Sequence, residues 1–561
     1  MSTTSPIASR TGGQILVDAL KINHVEHAFC VPGESYLPVL DALYDARAQI
    51  QLTVCRQEGG AAYMADAYGK MTGRPGICFV TRGPGATNAS VGVHTAFQDS
   101  TPMILFIGQV GSDCVEREAF QEIDYRRMFG EMAKWVASID RADRIPEFVN
   151  RAFQVATSGR PGPVVLALPE DVLTDLASVA DALPHKPVQA SPAADQIESL
   201  RAMLASAERP LLVLGGSTWD AAACERVERV AERLQLPVAV SFRRQDLFDN
   251  RHPNYAGDVG IGINPKLAER VRGADLLIVA GARLGEMTTG SYTLLDPARP
   301  QAQLVHVHPG AEELGRVYQA ALQINSGMPQ FVAALEALAG IDGSRWAGWT
   351  RDANADYRAN LLSQPTPAGS FDFGAAMHWL NETLPRDAIL CNGAGNYSGW
   401  VHRFYQYGRF RTQLAPTNGS MGYGVPAAVA AKIIEPQRTV VAFAGDGCYM
   451  MNGQELATAV QYGAAIIIVV LNNGMYGTIR MHQEMRYPER ISGTELVNPD
   501  FAALAQAYGA HGEVVERTED FAAAFERARA AGKPALIEVR IDPEIITSRT
   551  TITTLRQRAR A

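Results

Sequence analysis

At 561 residues the chain is too long for one hydrophobic core, so three or four domains are expected. Apolar residues make up 47% and charged residues 20%, a balance that fits a globular α/β protein and excludes a disordered or fibrous one. A net charge of -8 leaves no basic footprint for nucleic acid, and no run of about eighteen apolar residues offers a membrane span. Seven cysteines without CxxC pairs read as buried thiols in a reducing compartment. The amino-terminal MSTTSPIASRTGGQ lacks the apolar stretch of an export signal, so a cytoplasmic protein is expected.

Taken in chain order, strand-like and helix-like segments alternate from the start. HAFCV leads into PGES and a helical YLPVLDALYD, and QLTVCRQ leads into EGGAAYMADAYGKMTG. GICFVTRG leads into PGATNASVGVHTAF, PMILFIGQV follows, and VVLALPEDV closes the block. This alternation predicts a parallel, doubly wound sheet. The proline-rich ALPHKPVQASPAADQ reads as a linker. A second block has strands at PLLVLGG, VAVSF, ADLLIVAG and QLVHVHPG, and the low-order SQPTPAG leads into a third. The predicted fold class is α/β, with three doubly wound parallel-sheet domains over residues 1–185, 190–345 and 365–561. No sequence repeat relates the blocks, and a shared architecture is left open.

The most informative segment is GDGCYMMNGQELATAVQYGAAIIIVVLNN, residues 445–473. TVVAFA, ending just before it, and AAIIIVVL read as strands buried on both faces, with a helix over 454–461 between them. Such a crossover sets the strands parallel, so Asp446 and the Asn-Asn pair, each past a strand's carboxyl end, converge on one crevice. Hard oxygen ligands beside a glycine-rich strand-to-helix turn suit a magnesium ion holding a diphosphate.

GDG and NN at this spacing, with RQEGGAAYMADAYGKMTGRPG, TRGPGATN, DSTPMILFIGQV, SGRPGPVVLALPEDV and GSMGYGVPAAVAA, carry a resemblance over nearly the whole chain. The chain resembles thiamine-diphosphate enzymes of the acetohydroxyacid synthase and pyruvate oxidase group, and acetolactate synthase catalytic subunits most. The resemblance implies a first domain for the cofactor's aminopyrimidine, a last domain for its diphosphate, and a central domain holding FAD, ADP or nothing. It gives Glu58 the proton relay to N1′ of the aminopyrimidine, as the catalytic residue. Met421 would lie under the bent cofactor, and the Gly419 carbonyl would receive the 4′-amino hydrogen. Asp446, the Asn473 side chain and the Met475 carbonyl are the implied magnesium ligands. Gly447, Cys448, Asn396 and Tyr397 would contact the diphosphate. Gln121 matches a position near the substrate, and Arg160 matches an FAD-contacting arginine; Gly215-Gly216 is a weak nucleotide signal, with domain packing as the competing reading for all three FAD-associated residues.

Departures from the family pattern bear on the substrate. His482 stands where acetolactate synthases carry a tryptophan that narrows the acceptor pocket, and their FDDR segment reads Leu284-Gly285-Glu286-Met287. VPGES places Glu34 near the cofactor, His94 and Gln98 are polar where the family is often apolar, and Thr81 replaces the catalytic histidine of benzoylformate decarboxylases. The implied activity is a carboligase or lyase that decarboxylates a pyruvate-like 2-oxo acid and passes the acyl carbanion to a second carbonyl. The alternatives are a 2-oxo acid decarboxylase or 2-hydroxyacyl-CoA lyase and, outside catalysis, a paralogue that keeps only the fold. Family architecture further implies a homodimer or homotetramer with active sites between chains.

Overall fold

The computed structural model describes residues 8–363, 366 and 369–560. Residues 1–7 of the amino-terminal stretch and residues 364, 365, 367 and 368 of SQPTPAG therefore lie outside the described residues. The chain forms two compact units, one reaching to Val188 and the other beginning at Gln189. The division falls inside the proline-rich linker.

The first unit is built on β1 (His27–Cys30), β2 (Gln51–Val54), β3 (Gly76–Val80), β4 (Met103–Gln109), β5 (Trp135–Ser138) and β6 (Pro163–Pro169). Their order is β2-β1-β3-β4-β6-β5, every pair parallel. β3, β4 and β6 are buried along their whole length, as strands covered by helices on both faces must be. After β2 comes α1 (Glu58–Thr72), capped by the Gln57 side chain at Gly60 N and ended by Gly73 in the left-handed region. After β3 comes α2 (Gly83–Asp99). Small residues let these two helices approach: a Cβ on Gly92 would strike Ala62, and one on Gly59 would sit 3.2 Å from the Asn88 carbonyl.

The second unit holds two further sheets. In the central one, β7 (Pro210–Leu214), β8 (Val238–Ser241), β9 (Tyr255–Val259), β10 (Leu276–Ala280), β11 (Gln303–His308) and β12 (Leu322–Asn325) run in the order β9-β8-β7-β10-β11-β12. In the last, β13 (Ile389–Asn392), β14 (Gln413–Leu414), β15 (Val440–Gly445), β16 (Ile467–Asn472), β17 (His511–Val515) and β18 (Ala535–Arg540) run in the order β14-β13-β15-β16-β18-β17. The first and last sheets thus share one winding and the central sheet has another. All three are parallel, six-stranded and flanked by helices, the doubly wound α/β class expected.

Two central strands escape the sequence pattern. β9 contains Gly257 at φ 112 and a register shift against β8, and β12 is an edge strand that alternates with Gln323 and Asn325. Near GDG the helix starts earlier than expected, as α3 (Asp446–Asn452) followed by α4 (Glu455–Gln461). Gly453 separates them with the Tyr449 ring against it, so a Cβ there would lie 2.7 Å from Cε1. Further on, α5 (Gly477–Arg486) packs against the carboxyl-terminal α6 (Ile552–Arg560) around Ile546, Ile552, Leu555, Met475 and Met481. Cys114 is half-exposed, the other six cysteines are buried, and none forms a disulfide. Among the described residues no helix is long and apolar enough to cross a membrane.

Candidate active site

The adjacent parallel strands β15 and β16 pair Gly445 with Leu471, so the two following turns meet at one sheet edge. The Asp446 carboxylate is 2% exposed and ties them together. Its Oδ1 accepts from Gly447 N at 2.9 Å, and its Oδ2 accepts from Gly474 N at 2.8 Å. Asn498, which no sequence motif singled out, donates through Nδ2 to Asp446 Oδ2 at 2.8 Å and to Asn472 Oδ1 at 3.0 Å. Asn472 in turn donates to Glu538 Oε1 at 2.9 Å, and Glu538 Oε2 accepts from Phe501 N at 3.1 Å. Of the Asn-Asn pair, Asn472 is thus a brace, while Asn473 Oδ1 accepts from Met475 N at 3.3 Å.

These residues fit a divalent cation. Every donor bonded to Asp446 is neutral, no Lys or Arg pairs with it among the described residues, and burial pushes its carboxyl up. A buried carboxylate without a cation is costly, and magnesium would offset that cost. Among the described residues no three His, Cys, Asp or Glu side chains cluster for a metal. A magnesium ion would draw instead on one carboxylate, the Asn473 amide and the Met475 carbonyl, a hard-oxygen set that suits it.

Around this core, Gly447 packs on Tyr476, whose Cε1 would lie 2.5 Å from a Cβ there. Cys448 Sγ accepts from Gly422 N at 3.2 Å, fastening α3 to the GSMGYG loop. Tyr397 is 6% exposed, its hydroxyl accepts from Gly393 N at 3.0 Å, and its ring supports Gly445. Asn396 is held by Thr478 Oγ1 at 2.9 Å and by the Ile546 carbonyl at 3.0 Å. Gly419 has φ 72, which favours glycine, and nothing lies within 4 Å of where its Cβ would be. Met421 is half-buried against the last sheet's core. The structure therefore brings Asp446, Gly447, Cys448, Asn473, Met475, Asn396, Tyr397 and the Gly419–Met421 loop into one domain. His482 lies exposed on α5.

In the first unit Glu58 opens α1 and is half-buried. Its Oε2 accepts from Asn88 Nδ2 at 2.9 Å, and its Oε1 lies 3.5 Å from where a Gly85 Cβ would stand. Gly83, Pro84, Thr87, Asn88, Gln121 and Ile123 line a cavity of about 410 Å³. Gln121 enters at φ 66, its carbonyl accepting from Gly83 N at 2.9 Å. Glu34 is exposed and stands 3.8 Å from Arg82, and His94 lies on the exposed side of α2.

The residues linked to FAD have close packing partners within their own units. Arg160 is 7% exposed and donates to Ser100 Oγ at 2.9 Å and to the Phe97 carbonyl at 2.6 Å. A Cβ on Gly215 would strike Ser241 Oγ, and one on Gly216, at φ 67, would strike the Gly281 carbonyl.

Three family models of thiamine pyrophosphate enzymes match the chain: the N-terminal TPP binding domain over residues 10–128, the central domain over 197–335 and the C-terminal TPP binding domain over 393–539. Among curated relatives, the acetolactate synthase isozyme 2 large subunit of Escherichia coli K12 is 30% identical over 537 residues, covering 95% of both chains. The acetolactate synthase large subunit of Corynebacterium glutamicum is 32% identical, covering 94% of this chain and 86% of its own. A probable acetolactate synthase large subunit of Methanocaldococcus jannaschii is 31% identical, covering 95% and 92%. With its three parallel sheets and these matches along the length, the chain belongs to the thiamine pyrophosphate enzyme family.

Proposed function

We propose a thiamine-diphosphate- and Mg²⁺-dependent carboligase of the acetolactate synthase kind, which decarboxylates a pyruvate-like 2-oxo acid and passes its acyl unit to a second carbonyl compound. The observation that carries this reading is the buried Asp446 carboxylate, surrounded by neutral donors and tied to the Asn472–Gly474 turn. Bound thiamine diphosphate supplies the nucleophilic carbon and the electron sink for decarboxylation.

The chain's own residues bind and orient. Asp446, Asn473 and the Met475 carbonyl would hold Mg²⁺, and the magnesium would carry the diphosphate, with Gly447, Cys448, Asn396 and Tyr397 shaping the seat. Glu58 would hold and return a proton at N1′ of the aminopyrimidine. Met421 would support the bent cofactor, and the Gly419 carbonyl would accept from its 4′-amino group. Gln121, His482, Glu34 and His94 would border the substrate, which makes the pocket polar and leaves room for a bulkier or more polar acceptor. Two or four copies of the chain would complete the sites, with Glu58 of one serving the diphosphate domain of another.

Similarity to acetolactate synthase large subunits over nearly the whole chain favours carboligation over simple decarboxylation. Glu58, Asp446 and Asn473 together weigh against a paralogue that keeps only the fold. The test is a panel of 2-oxo acids with thiamine diphosphate and Mg²⁺, scored for CO2 and for acyloin product, with Glu58→Gln alongside. Turnover that survives Glu58→Gln at the wild-type rate overturns the assigned role.

A further inference from the structure

We propose that Asn88 is the positioning residue for Glu58, holding its carboxyl in register while the proton at that group comes and goes. The inference rests on the thiamine-diphosphate reading for its chemistry and on the first unit's geometry for its placement.

The geometry is specific. Asn88 lies in the second turn of α2, and its Nδ2 donates to Glu58 Oε2 at 2.9 Å. The other oxygen, Oε1, lies toward Gly85, the bare side of α2, where even an added Cβ would stay 3.5 Å away. One carboxyl oxygen is therefore anchored and the other is left for exchange. The anchor can reach because α1 and α2 are pressed together: Gly92 leaves no room for a Cβ against Ala62, and Gly59 faces the Asn88 carbonyl itself. Asn88 and Thr87 also line the open cavity of about 410 Å³ that Gln121 borders.

The side chain type suits the task. Glu58 must alternate between carboxylate and acid. A carboxylate only accepts hydrogen bonds, while the acid also needs an acceptor for its own proton. A primary amide offers both, N–H to the first form and, after rotation, C=O to the second. An aspartate at the same place could accept but never donate when ionised, and it would set a second negative charge beside Glu58. A leucine could do neither. Asn88 has no proton of its own to transfer at neutral pH, so its part is to hold the geometry on which the transfer depends.

The experiment compares Asn88→Asp, which preserves shape, with Asn88→Ala, both reconstituted with thiamine diphosphate and Mg²⁺. Three quantities are read: kcat and KM for the best 2-oxo acid of the panel, the near-ultraviolet circular-dichroism band of the cofactor's 1′,4′-imino tautomer, and the unfolding temperature. Loss of a hydrogen bond to an ionised group at a reacting centre lowers kcat about ten- to a hundredfold in each variant. KM stays within about twofold, because the bond serves the proton relay and not substrate binding. The tautomer band weakens in parallel and the unfolding temperature holds. Wild-type kcat with an unchanged band overturns the assignment, and so does a drop in kcat that follows the unfolding temperature while the band stays intact. If no 2-oxo acid is turned over by the wild-type chain, the proposed function fails, and the tautomer band still decides for or against Asn88.

Discussion

Glu484→Gln is the substitution whose cost is most directly worked from the structure. Glu484 sits on α5, the helix that follows the Asn473–Met475 turn, and is 1% exposed. Its two oxygens take four hydrogen bonds: Oε1 from Arg480 Nε at 2.8 Å and Arg556 Nη2 at 2.7 Å, Oε2 from Arg556 Nε at 2.8 Å and Glu489 N at 3.0 Å. The fork of Arg556 thereby clamps α6 onto α5. Its hydrogen bonds, reinforced by Glu489 N and Arg480, bring the Glu484 carboxyl from 4.5 down to about 2. At 1.36 kcal/mol per pKa unit, that difference corresponds to about 3 kcal/mol of stabilisation at neutral pH.

Glutamine keeps the shape, removes the charge and turns an N–H toward a guanidinium. Amides of residues 552–560 should then exchange with deuterium on the order of a hundredfold faster at neutral pH, followed by mass spectrometry of that peptide. The sign of the pH effect follows from a carboxyl lowered on folding. The stabilisation is whole above about 4.5 and is lost as pH falls through about 2 in the wild type. It should be absent from the variant at every pH. Exchange within about twofold of wild type at neutral pH would refute the clamp.

Asp446→Asn removes the only charge in the assigned magnesium set, so Mg²⁺-dependent retention of thiamine diphosphate should fall at least about tenfold by calorimetry; unchanged retention contradicts the site. Asn498→Leu deletes the bonds of 2.8 and 3.0 Å to Asp446 and Asn472 and should weaken the same retention by about 1–2 kcal/mol, with a Mg²⁺ titration as the readout. Gly447→Ala drives a methyl into the Tyr476 ring, 2.5 Å from Cε1, and should abolish retention. Tyr476→Ala in the same chain should restore part of it if packing is the cause. Arg160→Met should lower the unfolding temperature by breaking the bonds to Ser100 and Phe97, and added FAD should leave both variant and wild type unchanged.

The anchor segment was legible in the sequence because its cues are local. Apolar runs before Asp446 and Asn472 become β15 and β16, and their pairing follows from the crossover between them. Burial of β3, β4 and β6 on both faces was likewise written as the largely apolar runs GICFV, MILFIG and VVLALP. What stayed hidden depends on long-range contact. Asn498 reaches Asp446 across 52 positions, and Asn88 reaches Glu58 across 30. Neither carries a periodic or turn signal that names its partner. The shared winding of the first and last sheets was invisible as well, because winding constrains strand order and not residue identity. The Gly215-Gly216 pair is a case of both kinds: its glycines are a local signal, while the Ser241 and Gly281 atoms that leave no room for a Cβ there come from other strand ends.

Product stoichiometry with pyruvate tests the central claim most directly. The purified chain, supplied with thiamine diphosphate, Mg²⁺ and pyruvate, should release one CO2 for every two pyruvates consumed and accumulate acetolactate. One CO2 per pyruvate with acetaldehyde as the sole product would contradict carboligation while leaving the cofactor site in place. No CO2 from any 2-oxo acid would contradict the account at its root.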